Sequence, residues 1–123
     1  MSRDGASARI VGQESPVTAL TRLCSLSEVS EDLPFRAVVD DFAYAVFQVG
    51  GQYYVTADLC SHGPGSLSEG FVENCQVECP FHQGRFDIRT GAPTAPPCEL
   101  PIRVWTAIVQ DGAVFIDVDA PAN

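Results

Sequence analysis

Two short strings decide how this chain reads: Cys60-Ser61-His62 and Cys79-Pro80-Phe81-His82, with residues 63–78 between them. Each puts a thiol and an imidazole within a few residues of one another. The chain holds two histidines in all, and both fall inside this pattern. Two loops of this form can converge on a single metal site. From the ligand set alone zinc competes, because it too takes two Cys and two His. The spacing leads away from a zinc finger, which keeps its cysteines together and its histidines together, whereas each string here carries one of each. In a two-iron cluster one iron can take both cysteines and the other both histidines. Two loops that each supply one Cys and one His suit that arrangement. The bland alternative is a pair of core cysteines and a pair of surface histidines.

Working outward, the whole segment from Asp58 to Pro97 is rich in Gly, Pro, Cys and His, with short strand candidates at Gln76–Glu78 and Arg85–Ile88. On either side the chain reads as β-strands. Val17–Cys24 alternates loosely, and Ser25–Asp32 is a polar connection with room for one helical turn. Phe35–Asp40, Phe42–Val49 and Gln52–Ala57 are β-branched and aromatic runs. Gly50-Gly51 between the last two is a hairpin signal, since both residues can take positive φ. Strand character returns over Ile102–Val109, and Asp111-Gly112 turns the chain into Ala113–Val118. The expectation is an all-β protein. Both ends of the chain build an antiparallel β base, and a loop-rich subdomain, about residues 58–97, is inserted between them. Residues 1–16, polar and without period, read as a mobile tail, leaving 17–123 as one domain.

Composition narrows the function classes. A chain of 123 residues with 46% hydrophobic content fits a single globular domain. Seven basic against 16 acidic residues give a formal charge of −9, which disfavours nucleic acid and anionic membrane surfaces. The same charge suits docking onto a basic partner. Five cysteines, an odd number, make a poor disulfide framework. No apolar run resembles a signal peptide or a membrane span, so the cytoplasm is the expected location.

The strings Asp58-Leu59-Cys60-Ser61-His62-Gly63, Leu67-Ser68-Glu69-Gly70, Glu78-Cys79-Pro80-Phe81-His82-Gln83-Gly84-Arg85-Phe86-Asp87 and Thr90-Gly91 resemble the Rieske family, over about Val17–Asp119. The chain looks most like the ferredoxin component of bacterial aromatic-ring-hydroxylating dioxygenase systems. That resemblance implies one 2Fe-2S cluster, with Cys60 and Cys79 holding one iron and His62 and His82 the other, the latter near the surface. It implies an electron carrier without catalysis of its own. The donor would be a flavin-containing NAD(P)H ferredoxin reductase, and the acceptor a terminal aromatic-ring oxygenase. A tightly bound Rieske subunit of another oxidoreductase, of the nitrite-reductase small-subunit type, is the alternative within the family, and a structural zinc domain the alternative outside it. A catalytic oxygenase subunit is disfavoured, since its non-haem iron needs two further histidines and a carboxylate.

The resemblance also carries an expectation about potential. Replacing two thiolates by neutral imidazoles raises it above that of an all-cysteine ferredoxin, and loss of imidazole protons makes it pH-dependent at high pH. By the same resemblance, high-potential relatives in respiratory complexes carry a disulfide at the positions of Gly65 and Phe81, and hydroxyl donors at those of Gly84 and Phe86. Neither pair here can supply those features, so the potential is expected nearer about −150 mV than +300 mV. Gly63, Pro64, Gly65 and Gly84 let backbone approach the cluster, and Ala95-Pro96-Pro97 resembles a loop that covers it. Cys24 reads as a small buried hydrophobe, Cys75 and Cys98 as spare, and Trp105 as packing.

Overall fold

The computed structural model describes residues 20–31, 33–60, 65–81 and 83–123. The tail read over residues 1–16, and His62 and His82, lie outside them. Among the described residues the chain forms β1 (Thr21–Ser25), β2 (Phe35–Val39), β3 (Phe42–Val49), β4 (Gln52–Ala57), β5 (Phe71–Glu73), β6 (Gln76–Glu78), β7 (Arg85–Asp87), β8 (Pro93–Ala95), β9 (Val104–Trp105), β10 (Ile108–Gln110) and β11 (Ala113–Ile116). Single 3-10 turns at Leu26–Glu28 and Leu67–Glu69 are the helical content of the described residues. The protein is all-β, and the strands pair antiparallel in three sheets, ordered β1-β11-β10, β2-β3-β4-β9 and β5-β6-β7-β8. No helix among the described residues is long and apolar enough to cross a membrane.

Register is set by two-residue hairpins. Asp40-Asp41, Gly50-Gly51, Asn74-Cys75 and Asp111-Gly112 all have both residues at positive φ, between 52° and 78°. That conformation matches the right-handed twist of the flanking strands. Glu31 reinforces the second of these turns, accepting hydrogen bonds from the Gly50 and Gly51 N–H groups at 3.1 Å each. The apolar run Ile102–Val109 does not continue as one strand. It breaks at Thr106-Ala107, so that β9 pairs with β4 while β10 pairs with β11 in another sheet. Trp105 fixes the crossing: its ring is buried in the base and its Nε1–H donates to the Val118 carbonyl at 3.2 Å.

Two hydrophobic cores result, and β3 is the wall between them. Tyr44 and Val46 face one core with Leu23, Val55, Trp105, Val114 and Ile116. Ala45 and Phe47 face the other with Leu67, Val77, Phe86, Ile88 and Ile102. Successive side chains of a strand point to opposite faces, so a strand buried on both sides reads as one unbroken apolar run. The third sheet lies wholly between β4 and β9, which are hydrogen-bonded neighbours, and the Ala57 N–H donates to the Arg103 carbonyl at 2.8 Å where the inserted segment leaves and rejoins the base.

Candidate metal centre

The two cysteine loops close in the same way. The Cys60 N–H donates to the Gly65 carbonyl at 2.9 Å, and the Cys79 N–H to the Gly84 carbonyl at 2.8 Å. In each loop the glycine stands five positions after the cysteine. Both glycines are there for space. A Cβ on Gly65 would lie 2.5 Å from the Cys79 sulfur, and one on Gly84 would run into the sulfur of Cys98. Close backbone approach, expected of Gly63, Pro64, Gly65 and Gly84 alike, is at Gly65 and Gly84 a matter of room for a sulfur. The repeated Cys-x4-Gly spacing is the signal that distinguishes them.

The first loop is tied to the base through Asp58, a carboxylate left 3% exposed. Burying a carboxylate is costly unless it is paired and hydrogen-bonded, and Asp58 is both. It accepts from Arg36 Nε on β2 at 3.1 Å, from the Ser66 hydroxyl at 2.5 Å and from the Ser68 N–H at 2.8 Å. The loop that begins at Cys60 is thereby fixed to the sheet beneath it. The second loop springs from the β6–β7 hairpin, where Glu78 and Arg85 face each other in register and pair at 3.0 Å. Its turn ends at Gln83, whose N–H donates to the Cys79 carbonyl at 3.0 Å.

Cys60 and Cys79 are 3% and 1% exposed and lie in the second core, along with Cys98. None of the five cysteines is in a disulfide. Cys98, spare by the motif, has a place in this core: the structure buries it together with Cys60 and Cys79. Burial, then the adjacent Cys60 and Cys79 sulfurs, push the Cys98 thiol's pKa up. Its position directly after Ala95-Pro96-Pro97, the segment resembling a cluster cover, is the clue that sequence offered. Cys24 belongs to the other core, where burial and then Glu28 push its pKa up to about 11. Cys75 occupies a hairpin turn.

Two buried thiols on matching loops, facing glycines whose missing Cβ atoms leave room for sulfur, fit a thiolate-bound metal. Among the described residues no three His, Cys, Asp or Glu side chains converge as a metal site, so Cys98 does not complete a three-cysteine set. The positions matched earlier to a family disulfide are also placed as such partners would be. A Cβ on Gly65 would stand 3.6 Å from that of Phe81, inside the range disulfides span, yet neither residue is a cysteine. Phe86 is fully buried and apolar. Large apolar side chains are exposed beside each cysteine segment: Leu59, Phe81 and Leu100, each more than 60% accessible.

Residues 19–106 match the family model described as the Rieske [2Fe-2S] domain. The chain is 44% identical over 106 residues to the ferredoxin component of the p-cumate 2,3-dioxygenase system of Pseudomonas putida, covering 85% of this chain and 90% of that one. Among solved structures it is similar to the Sphingomonas yanoikuyae B1 ferredoxin, with a TM-score of 0.78 and 40% identity over 80% of this chain and 98% of the other. It is also similar to a chain in the complex of reduced oxygenase and oxidized ferredoxin of carbazole 1,9a-dioxygenase, with a TM-score of 0.74 and 36% identity over 82% and 94% of the two chains.

Proposed function

We propose, since this chain belongs to the Rieske 2Fe-2S family, that it is a one-electron carrier serving a terminal aromatic-ring-hydroxylating oxygenase. Its cofactor is a Rieske-type 2Fe-2S cluster, which when bound supplies reversible one-electron chemistry. Cys60 and Cys79 hold one iron on this reading, and His62 and His82 the other. The observation that carries it is the pair of buried thiols on two loops of identical closure, each followed within three residues by a histidine. The p-cumate relative named above is the ferredoxin component of a dioxygenase system, and one of the similar structures is a complex of a ferredoxin with its oxygenase. This chain carries electrons and leaves the oxidation of substrate to that partner.

The protein's own part is to hold and to present. The Asp58 network and the two Cys-to-Gly bonds keep the loops in one geometry, so that little rearrangement accompanies a change of redox state. Leu67, Val77, Phe86 and Ile88 exclude water behind the sulfurs. Leu59, Phe81 and Leu100 offer apolar contact at the loops, where a transient partner can dock. The donor in this reading is a flavin-containing NAD(P)H-dependent reductase, and the exchange takes place in the cytoplasm.

The test is reconstitution. Purified anaerobically, the chain should contain iron and sulfide in equal amounts and, once reduced, show the low average g of mixed Cys/His ligation in electron paramagnetic resonance. Added to a reductase and an aromatic-ring oxygenase, it should stimulate turnover. Cys60→Ala, Cys79→Ala, His62→Ala and His82→Ala should each lose the cluster. Stoichiometric zinc in a colourless sample, or a reduced protein that does not stimulate turnover, would reject the proposal.

A further inference from the structure

The β base carries a surface cleft that electron transfer does not use. Its volume is about 410 Å³, and it is lined by Phe42, Tyr44, Arg103, Trp105 and Val118. That size falls in the range of small-molecule sites. Tyr44 and Trp105 belong to the first core, on the opposite face of β3 from Cys60 and Cys79. Phe42 and Tyr44 stand two apart on β3 and so share a face. Arg103 and Trp105 are likewise two apart, beyond the intervening β4. The β4 partner of Tyr44 is Ala57, whose methyl group takes little of the space between them. The three rings meet edge to face, with centroids 4.7 Å apart for Phe42–Tyr44, 5.0 Å for Tyr44–Trp105 and 5.9 Å for Phe42–Trp105. Each ring braces the other two, so the aromatic wall is preformed.

Two polar groups on this wall are unused. Tyr44 is 5% exposed, yet its hydroxyl makes no hydrogen bond among the described residues. A buried hydroxyl normally has a partner. Burial first, then Asp40 and Asp119, push its pKa up, so it remains a donor. Arg103 is exposed, and its guanidinium has no ion pair among the described residues, whereas Arg36, Arg85 and Arg89 each have one. The Trp105 Nε1–H is already taken by the Val118 carbonyl. We propose that this cleft is a binding site for a small aromatic monocarboxylate, its ring packed on Phe42 and Trp105 and its carboxylate held by the Arg103 guanidinium and the Tyr44 hydroxyl. A planar carboxylate matches the guanidinium fork, which can donate two parallel hydrogen bonds to it. An aromatic body matches walls built from ring faces and edges. Among the described residues that line the cleft, Arg103 alone is charged, which disfavours a cation. The two carboxylates near Tyr44 favour one negative charge over the two of a phosphate ester. None of this depends on the cluster ligands or on the redox role.

The test titrates the full chain, purified with its cluster, with 2-naphthoate by calorimetry. 2-Naphthamide and acetate serve as the uncharged and the ringless controls. The naphthoate should bind one per chain with a Kd of about 0.01–1 mM, and each control about tenfold more weakly or worse. Arg103→Gln should weaken naphthoate binding about tenfold or more, and Tyr44→Phe, which keeps the ring, about threefold. Both variants should keep the visible spectrum of the native protein. Trp105 is the single tryptophan of the chain, so its indole N–H gives one resonance in a nitrogen-15 spectrum, and binding should shift it. No binding up to about 5 mM, equal affinity for the amide, an unmoved indole resonance, or an affinity unchanged in both variants would each overturn the proposal. Failure of the naphthoate to bind, together with slower electron transfer to the oxygenase in Arg103→Gln, would overturn it in favour of a protein contact at this cleft.

Discussion

At the scale of single residues, Gly84 has little room for change. Its Cβ would overlap the Cys98 sulfur and stand 3.1 Å from the Cys98 nitrogen. Gly84→Ala is expected to cost about 1–3 kcal/mol by overpacking and to lower iron per chain. Gly112→Ala, at φ 72° with open space around it, should cost roughly 1 kcal/mol through backbone strain and leave iron content unchanged. Thermal melts and iron analysis on the two variants check this contrast. Asp87 gives a pH signature. Hydrogen bonds from the Arg89 side chain, against a smaller opposing effect of burial, lower its pKa. A depressed folded pKa means that the stabilisation is present above the unfolded carboxyl value of about 3.9 and is lost as pH falls through the lower folded one. Arg89 is 57% exposed, so solvent screens the pair. Asp87→Asn is expected to cost about 0.5–1 kcal/mol at pH 7 in denaturant unfolding, a difference that fades as pH falls through the lowered folded value.

At the scale of elements, β3 makes the sharpest prediction, because its two faces serve different cores. Phe47→Ala opens a void in the core that backs the cysteine loops and should cost about 3–5 kcal/mol while weakening iron retention. Val46→Ala, one residue away on the opposite face, should cost about 2 kcal/mol and leave the visible spectrum of the cluster intact. Absorbance per chain together with unfolding curves separates the two. The same strand marks where reading the sequence succeeds and where it stops. Phe42–Val49 and Gln52–Ala57 were legible to the residue because β-branched and aromatic side chains run between glycines. The hairpins at Asp40-Asp41 and Asn74-Cys75 were not, because residues without glycine freedom hold positive φ there and only the surrounding strands require it. β5 and β8 are three residues long, too short for any period to show. At the site, Cys60 and Cys79 were legible from their spacing to histidine. Cys98 was not, since it joins the others through tertiary folding, and its one sequence clue was its place directly after Ala95-Pro96-Pro97.

At the scale of the whole molecule, charge and exposed apolar surface make competing demands on partner docking. A formal charge of −9 steers the carrier toward a basic face, an attraction that salt screens over a Debye length of about 10 Å at 0.1 M. Electron transfer to an oxygenase with such a face should slow by about tenfold between roughly 0.01 and 0.3 M salt. Stopped-flow reduction of that partner measures it. A rate independent of salt would assign recognition to the apolar group of Leu59, Phe81 and Leu100 instead.

The hydrogen bond between Ala57 and Arg103 has a consequence for how such proteins can vary. The segment that carries both cysteine loops enters and leaves the base at one rung of a β-ladder. To the base, the inserted segment is a loop whose two ends already touch. Doubling the length of such a loop costs only about 0.6 kcal/mol in closure entropy. Residues can therefore be gained or lost within the cassette while the β framework beneath it stays unchanged, much as an instrument head can be refitted on the same mount.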